Sequence, residues 1–354
     1  MHRNFFRAAF LSLFIVLAAS ACSEGVPIAE EPGTSSPEQA AVEEPVEVPE
    51  AEPAPYRQPL TGMPSEERLT HRPIVVMVEN SPAARPQSGL DAADMVYEVL
   101  AEGDITRFIA VYHSREPDRI GPVRSIRPYF VEIGDGLGGI LVHAGWSQDA
   151  MNLMVKRKVN HLDQVYGDHP YYWRDKSRKA PHNVYTSIEL IRKGAEAKKF
   201  RTEWVDPVLT FRAPAGENST GSNLANSAAS VTIPYIQGYK VIYEYDSKTG
   251  TYARSMAGKP HTDAVTNDRL QAANVLVVEA KHRIVDSVGR RDVDVVGPGY
   301  GYLFQEGAKK EITWELKHGA IRAYDPKGGL AELPLVPGTT WVQIVPDLSK
   351  VTFE

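Results

Sequence analysis

The chain has 354 residues, of which 42% are hydrophobic and 24% charged, with a formal net charge of −6. That length can bury a core of its own. One cysteine, Cys22, stands in the whole sequence, which excludes an internal disulfide framework and a thiolate zinc site.

The first 22 residues read MHRNFFRAAFLSLFIVLAASAC. Arg3 and Arg7 precede an apolar run of signal-peptide length, too short for a comfortable membrane span, and small residues lead into the cysteine. Residues 1–21 are therefore expected to be a secretory signal. The segment Ala19-Ser20-Ala21-Cys22 is similar to a bacterial lipobox, with alanine where leucine is commoner. Cys22 then becomes a lipidation point, and the exported body keeps no thiol for nucleophilic catalysis. Ordinary secretion with cleavage nearby is the alternative.

Residues 22–57 read as a tether. Between 23 and 55 there are nine glutamates and seven prolines, with no lysine, arginine or aromatic residue. Such a stretch cannot bury enough apolar surface to order itself, and its like charges extend it. The signal carries +2 and the tether −9, so residues 56–354 carry +1. The acidity belongs to the tether and the body is nearly neutral.

Within the body, residues 58–205 read as mixed α/β. PIVVMVEN (73–80) suits a buried strand, and residues 88–94 look like a short capped helix. MVYEVLAE (95–102), Gly103-Asp104 and RFIAVYHS (107–114) form a hairpin pattern. In RIGPVRSIRPYF (119–130), Ile126, Tyr129, Phe130 and Ile133 have helical spacing. Pro128 confines that helix's start to its first turn, with Ser125 as N-cap. GILVHAG (139–145) is another strand, and residues 147–158 fit a helix capped by Ser147. Thr186-Ser187-Ile188-Glu189 matches a capping box for a third helix. Residues 206–227 are an inter-domain connection, Gly/Ser/Asn-rich over 213–227, in which PVLTFRA (207–213) reads as a short strand, and 228–354 alternate short β-branched or aromatic runs with turn signals. The expected fold class is α+β, a mixed α/β N-terminal domain followed by a mostly antiparallel β C-terminal domain.

Several groups could carry function. Arg124 and Arg127 flank a helix start, where the dipole and free N–H groups already favour an anion. With Ser125 and Arg178 they form a candidate anion site. Alternatively Glu98, Glu102 or Asp104 neutralises them internally. His113 and His143 end predicted strands, and with Glu102 and Asp104 they are candidate acid/base groups. A structural, hydrogen-bonded histidine is the ordinary alternative. His182, Asn183 and Tyr185 in RKAPHNVYTS (178–187) could wall a ligand site. Cations also cluster in RDKSRKAP (174–181) and IRKGAEAKKFR (191–201). They suit anionic lipid headgroups, wall phosphates or acidic glycans, or are simply solvated helix faces. GPGYGY (297–302) precedes a strand-like run, so it is no phosphate loop. No metal-ligand spacing and no cofactor motif appears, and nothing argues for nucleic acid as a partner.

RPIVVMVENSPAARPQSGL, RIGPVRSIR, HAGWS and RKAPHNVYTS, with GYLFQEGAKKEITWEL and LVPGTTWVQIVP, resemble the YerB-like family of bacterial lipoproteins. The resemblance spans the body and implies a two-domain, exported, palmitoylated lipoprotein on the outer face of the cell membrane, typical of Gram-positive bacteria. Both family domains are of unknown function, so no catalytic residues carry over. Three roles remain open: binding an anionic envelope polymer, hydrolase or transferase action on phosphate- or carboxylate-bearing polymers, and scaffolding of other envelope proteins. Mass spectrometry of the mature protein is expected to show diacylglycerol on Cys22, and an unmodified soluble product would contradict the anchor.

Overall fold

The computed structural model describes residues 54–205, 207–213, 227–236, 239–329 and 331–354. The expected signal peptide, Cys22, the expected tether to residue 53 and most of the 206–227 connection lie outside the described residues.

A ten-stranded sheet organises the body. From one edge its strands are Ala320–Tyr324, Ala308–Lys317, Gly299–Gln305, Asn274–Glu279, Thr340–Val345, Met95–Glu102, Ile105–Tyr112, Ile74–Glu79, Ile140–His143 and His161–Asp163. The two halves of the sequence meet at its centre, where Thr340–Val345 runs parallel to Met95–Glu102, with Thr340 opposite Met95 and Ile344 opposite Val99. Ile74–Glu79 is likewise parallel to Ile140–His143. The fold class is α+β, with the strands rich and mainly antiparallel in the C-terminal half.

Both faces of this sheet are covered, which is why the run IVVMVE is buried along its whole length. Val75 and Met77 pack on one side with Tyr129, Phe130 and Ile133 of helix α1 (Pro128–Gly136). Val76 and Val78 pack on the other, with Ile188 and Ile191 of Ile188–Ala197 and with Val231, Ile233 and Tyr243 of a second sheet. That second sheet is ordered Lys259–Pro260, Thr251–Met256, Tyr239–Asp246, Ser230–Ile236, Thr352–Phe353. A period of two therefore separates two cores in one strand.

An ion pair joins the two sheets. Glu98 and Arg254 are both 0% exposed, 2.6 Å apart. Arg254 also donates to the Tyr243 hydroxyl (2.7 Å) and to His261 Nδ1 (3.0 Å), and its guanidinium lies 4.5 Å from the Trp341 ring centre. The other Glu98 oxygen accepts from Thr106 Oγ1 (2.7 Å) and the Tyr239 hydroxyl (2.9 Å). Burial works against the Arg254 charge, but Glu98 and the tyrosines outweigh it and raise the pKa.

Local details correct four expectations. Residues 88–94 carry only a 3₁₀ turn, Leu90–Ala92, after Gly89 in the left-handed region. α1 starts at Pro128 with Arg127 in the cap position, not Ser125. The reason is that residues 121–126 are extended and bonded to neighbouring strands, so Ser125 Oγ donates to Ala144 O (2.9 Å) instead. Residues 207–213 form no strand beyond one isolated bridge, Phe211 to Leu335. The third helix is capped one residue later than expected, by Ser187, whose hydroxyl accepts from Leu190 N–H. Helix α2 (Gln148–Arg157) is capped by Ser147 as expected, and Ile188–Ala197 is α3. Replacing Glu98 with Ala should cost about 3–5 kcal/mol by stranding Arg254, read by chemical denaturation, whereas a Glu98→Gln, Arg254→Met double variant should cost less than Glu98→Ala alone.

Candidate functional site

The parallel strands Ile74–Glu79 and Ile140–His143 are paired only from Ile74 to Val76. Beyond that point residues 121–126 run between them. Arg124 N–H donates to Met77 O and Glu79 N–H to Pro122 O, both at 2.8 Å, while Ala144 N–H donates to Arg124 O at 3.0 Å. The site thus lies where parallel strands part at their carboxyl ends, a place that suits a ligand. Gly121 makes this insertion possible. Its φ is +147°, and a Cβ there would sit 2.7 Å from Val184 O. Two sequence motifs meet here, since Ile120 and Thr186 bridge and Val123 N–H donates to Val184 O (2.7 Å).

At the end of its strand, Glu79 is buried and gathers three groups. Ser81 Oγ donates to Glu79 Oε1 (2.7 Å), His182 Nδ1 lies 2.8 Å from the same oxygen, and Arg124 Nε is 3.4 Å from Oε2. Glu79 and Ser81 escaped the sequence reading. The available signal was a carboxylate closing an otherwise apolar strand and followed at once by Asn80-Ser81.

The candidate arginines separate. Arg124 faces Glu79, outside the three acids expected to neutralise it, and its side chain is 29% exposed. Its guanidinium makes no hydrogen bond among the described residues, and burial lowers its pKa while Glu79 opposes the shift. Arg127 pairs with Glu102 and donates to Ile126 O (2.7 Å). Burial pulls Arg127 down to about 10. Arg107, buried by the same carboxylate, donates to Glu102 Oε2 at 2.8 Å and to Ser125 O at 2.7 Å. Arg178 spends both Nη groups on the backbone carbonyls of Ala84 (2.9 Å) and Pro86 (2.6 Å). Asp104 is exposed in the hairpin turn.

The two candidate histidines lie at opposite ends of the sheet. Ile105–Tyr112 is antiparallel to Ile74–Glu79, with Tyr112 opposite Ile74, so His113 sits at the far end from Glu79. His113 Nε2 is 2.8 Å from His71 O, its ring packs 4.4 Å from Trp204, and burial pulls its pKa to about 4. His143 is fully buried, its Nδ1 3.0 Å from Gly145 O and its Nε2 3.1 Å from His161 Nδ1. Burial, helped by His161, holds it at about 3. Both are neutral, enclosed groups; His113 lies at the other end of the strands from Arg124, and the His143 side chain is turned inward to Gly145 O and His161.

Of the loop residues, His182 reaches Glu79. Asn183 Oδ1 accepts from Arg174 Nη1 (2.9 Å), and Tyr185 is buried beneath Arg119, whose guanidinium lies 4.1 Å from the ring centre. In the C-terminal half, Gly299 packs flat against Trp314, where a Cβ would come within 2.5 Å of Nε1. Gly301 is as confined, a Cβ there falling 2.5 Å from Val277 O, so strand packing explains these two glycines, while Gly297 turns the chain just before the strand with φ +80°. Exposed apolar side chains there include Ile284, Val285 and Val288. Among the described residues, no group of three His, Cys, Asp or Glu side chains is placed to hold a metal, and no helix is long and apolar enough to cross a membrane.

An α+β body whose two sequence halves share one sheet, with a polar cluster at the parting of parallel strands, defines the class. Residues 60–201 match the model described as "Protein of unknown function (DUF3048) N-terminal domain", and residues 231–342 match its C-terminal counterpart. The chain belongs to this family. It is similar to the protein named "Putative lipoprotein YerB" of Bacillus subtilis (strain 168), with 40% identity over 300 residues, 84% of this chain and 88% of that one. It is also similar to the crystal structure of YerB protein from Bacillus subtilis, at TM-score 0.77 and 39% identity, over 84% of this chain and 99% of that one.

Because His113 and His143 bind protons more weakly folded than unfolded, the unfolded state takes up protons first as pH falls. Stability is therefore expected to drop as pH falls from about 6.5 toward 4, each unit of lowered pKa being worth about 1.4 kcal/mol at most. Thermal melts across that range, with His143→Gln showing a shallower slope, check this.

Proposed function

We propose that this chain is an exported lipoprotein, held to the outer face of the cell membrane by a lipid on Cys22, whose N-terminal half binds an anionic group of the cell envelope at Arg124 and His182. The observation that carries the reading is Arg124 itself. It is a part-exposed guanidinium with no hydrogen-bond partner among the described residues, set where parallel strands part. Beside it, His182 turns Nδ1 to Glu79, which leaves Nε2 for a ligand. The cations of residues 174–179 add attraction at longer range. The name of the Bacillus subtilis relative supports the anchor.

One observation favours a second reading, chemistry on that anion. Glu79 orienting an imidazole whose other nitrogen faces outward is a general-base arrangement. Ser81 is a poor nucleophile in it, since its hydroxyl is given to Glu79 and it approaches the same Nδ1 at 3.4 Å. Any acid/base role would run through Glu79 and His182, since His113 and His143 are enclosed and neutral.

The test is retention of the purified body on isolated wall fractions and on anionic vesicles, at low and high salt. Arg124→Ala should weaken retention about tenfold, about 1.4 kcal/mol, and high salt should weaken the parent. Arg178→Ala should lower the melting temperature, because Arg178 holds the carbonyls of Ala84 and Pro86, and should weaken retention less than Arg124→Ala does. Equal retention by a folded Arg124→Ala variant would sink the proposal.

A further inference from the structure

The far end of the same parallel strand pair, where Ile74 and Ile140 begin, carries a different feature. A cavity of about 360 Å³ opens between the start of Ile140–His143 and the last turn of α3. Ile140, Ala195 and Phe200 give it an apolar wall, while Arg72, Lys199 and Arg201 stand around it. Arg192 also lines it, but is paired with Glu116 at 2.6 Å. Glu196 is the one carboxylate in the wall.

Arg72 is the unusual member. It is 5% exposed, yet its partners are all neutral oxygens. Nε donates to Gly138 O (2.7 Å), Nη2 to Gly139 O (2.6 Å), and Nη1 to Asn160 Oδ1 (2.5 Å) and Arg201 O (3.4 Å). Among the described residues, none of Arg72, Lys199 and Arg201 has a carboxylate at ion-pair distance, and the nearby Asp135 is given to Arg157. Burial, with Arg201 adding to it, pulls Arg72 down to about 10. A buried charge is ordinarily paired. The negative end of a helix accounts for cations at Lys198 and Lys199. It does not account for Arg72, which arrives from the chain ahead of Ile74–Glu79.

An apolar wall ringed by unpaired cations suits a molecule with one hydrocarbon part and one negative end. The volume lies near the bottom of the usual ligand range, about 300–1,000 Å³, which fits one chain and not two. We propose that this cavity binds a single-chain anionic amphiphile, a long-chain carboxylate, with its hydrocarbon tail against Ile140, Ala195 and Phe200 and its head at Lys199 and Arg201, over the charge of Arg72. The site is independent of Arg124, which stands at the other end of the strands.

Isothermal titration with dodecanoate tests it on the exported chain in its Cys22→Ser form, which needs no detergent. Butyrate and dodecanol serve as comparison ligands. Dodecanoate should bind at micromolar concentration, and butyrate and dodecanol at least about tenfold more weakly. Ala195→Trp, which fills the cavity, and the surface double variant Lys199→Glu, Arg201→Glu should each lose at least about tenfold in affinity. The double variant is read at a melting temperature near the parent's, so that it stands if the tryptophan variant fails to fold. Arg124→Ala should leave dodecanoate binding unchanged, which separates this site from the envelope-anion site. No binding of dodecanoate, equal binding of butyrate or dodecanol, or full affinity in either folded cavity variant would overturn the proposal.

Discussion

The pairing of Glu98 with Arg254 is the constraint around which the body is arranged. Glu98 belongs to the central strand of the large sheet and Arg254 to the second sheet, and neither touches water. Two charges so buried are tolerated only when geometry is good and the remaining donors and acceptors are satisfied. Thr106, Tyr239, Tyr243 and His261 supply those bonds, and Trp341 supplies a ring face. Since Arg254 donates to Nδ1 of His261, that ring is neutral and its Nε2 hydrogen points to Gln87 Oε1 at 2.8 Å. Burial, then Arg254, holds its pKa well below the ordinary value. The network draws on Gln87, Thr106 and Trp341, so it ties residues from both family segments into one interior.

This tie changes how the two halves relate. The family segments at 60–201 and 231–342 contribute adjacent strands to one sheet, with Thr340–Val345 beside Met95–Glu102. The N-terminal strand hairpin therefore sits at the centre of the sheet, with its tip beside α1. There Glu102 holds Arg107 and Arg127 together. Arginine next to a helix start is unfavourable on the dipole alone, and Glu102 removes that cost for Arg127. Arg124, three residues earlier on the extended segment, gets a more distant acid and stays partly open to solvent.

Much of the local structure was legible in the residues. The hairpin across Gly103-Asp104, the strands at 74–79 and 140–143, the amphipathic stripe of α1 and the cap Ser147 all follow from periodicity and turn chemistry. Where local reasoning failed, tertiary bonding won over propensity. Ser125 is a good cap by type, yet its segment is extended because strands on both sides bond to it. Thr186 is likewise drawn into a bridge with Ile120, which leaves the capping to Ser187. Of the candidate site, Arg124 and His182 were visible as charged and polar residues in motifs. Glu79, which brings them together, looked like the end of a buried strand.

By itself, the sequence determined which residues face inward, where chain direction reverses, and that an acidic, proline-rich stretch and a signal-like start precede a nearly neutral body. These are properties of neighbours along the chain, set by side-chain spacing of two or 3.6 residues and by composition. Only the tertiary structure decided which strands lie side by side, that His113 and His143 stand at opposite ends of the sheet, and which acid each arginine meets. Partner choice depends on register and on pairings between residues far apart in the chain, as with Glu98 and Arg254 or Arg124 and Glu79. A charged residue's own neighbours do not record the far partner that neutralises it.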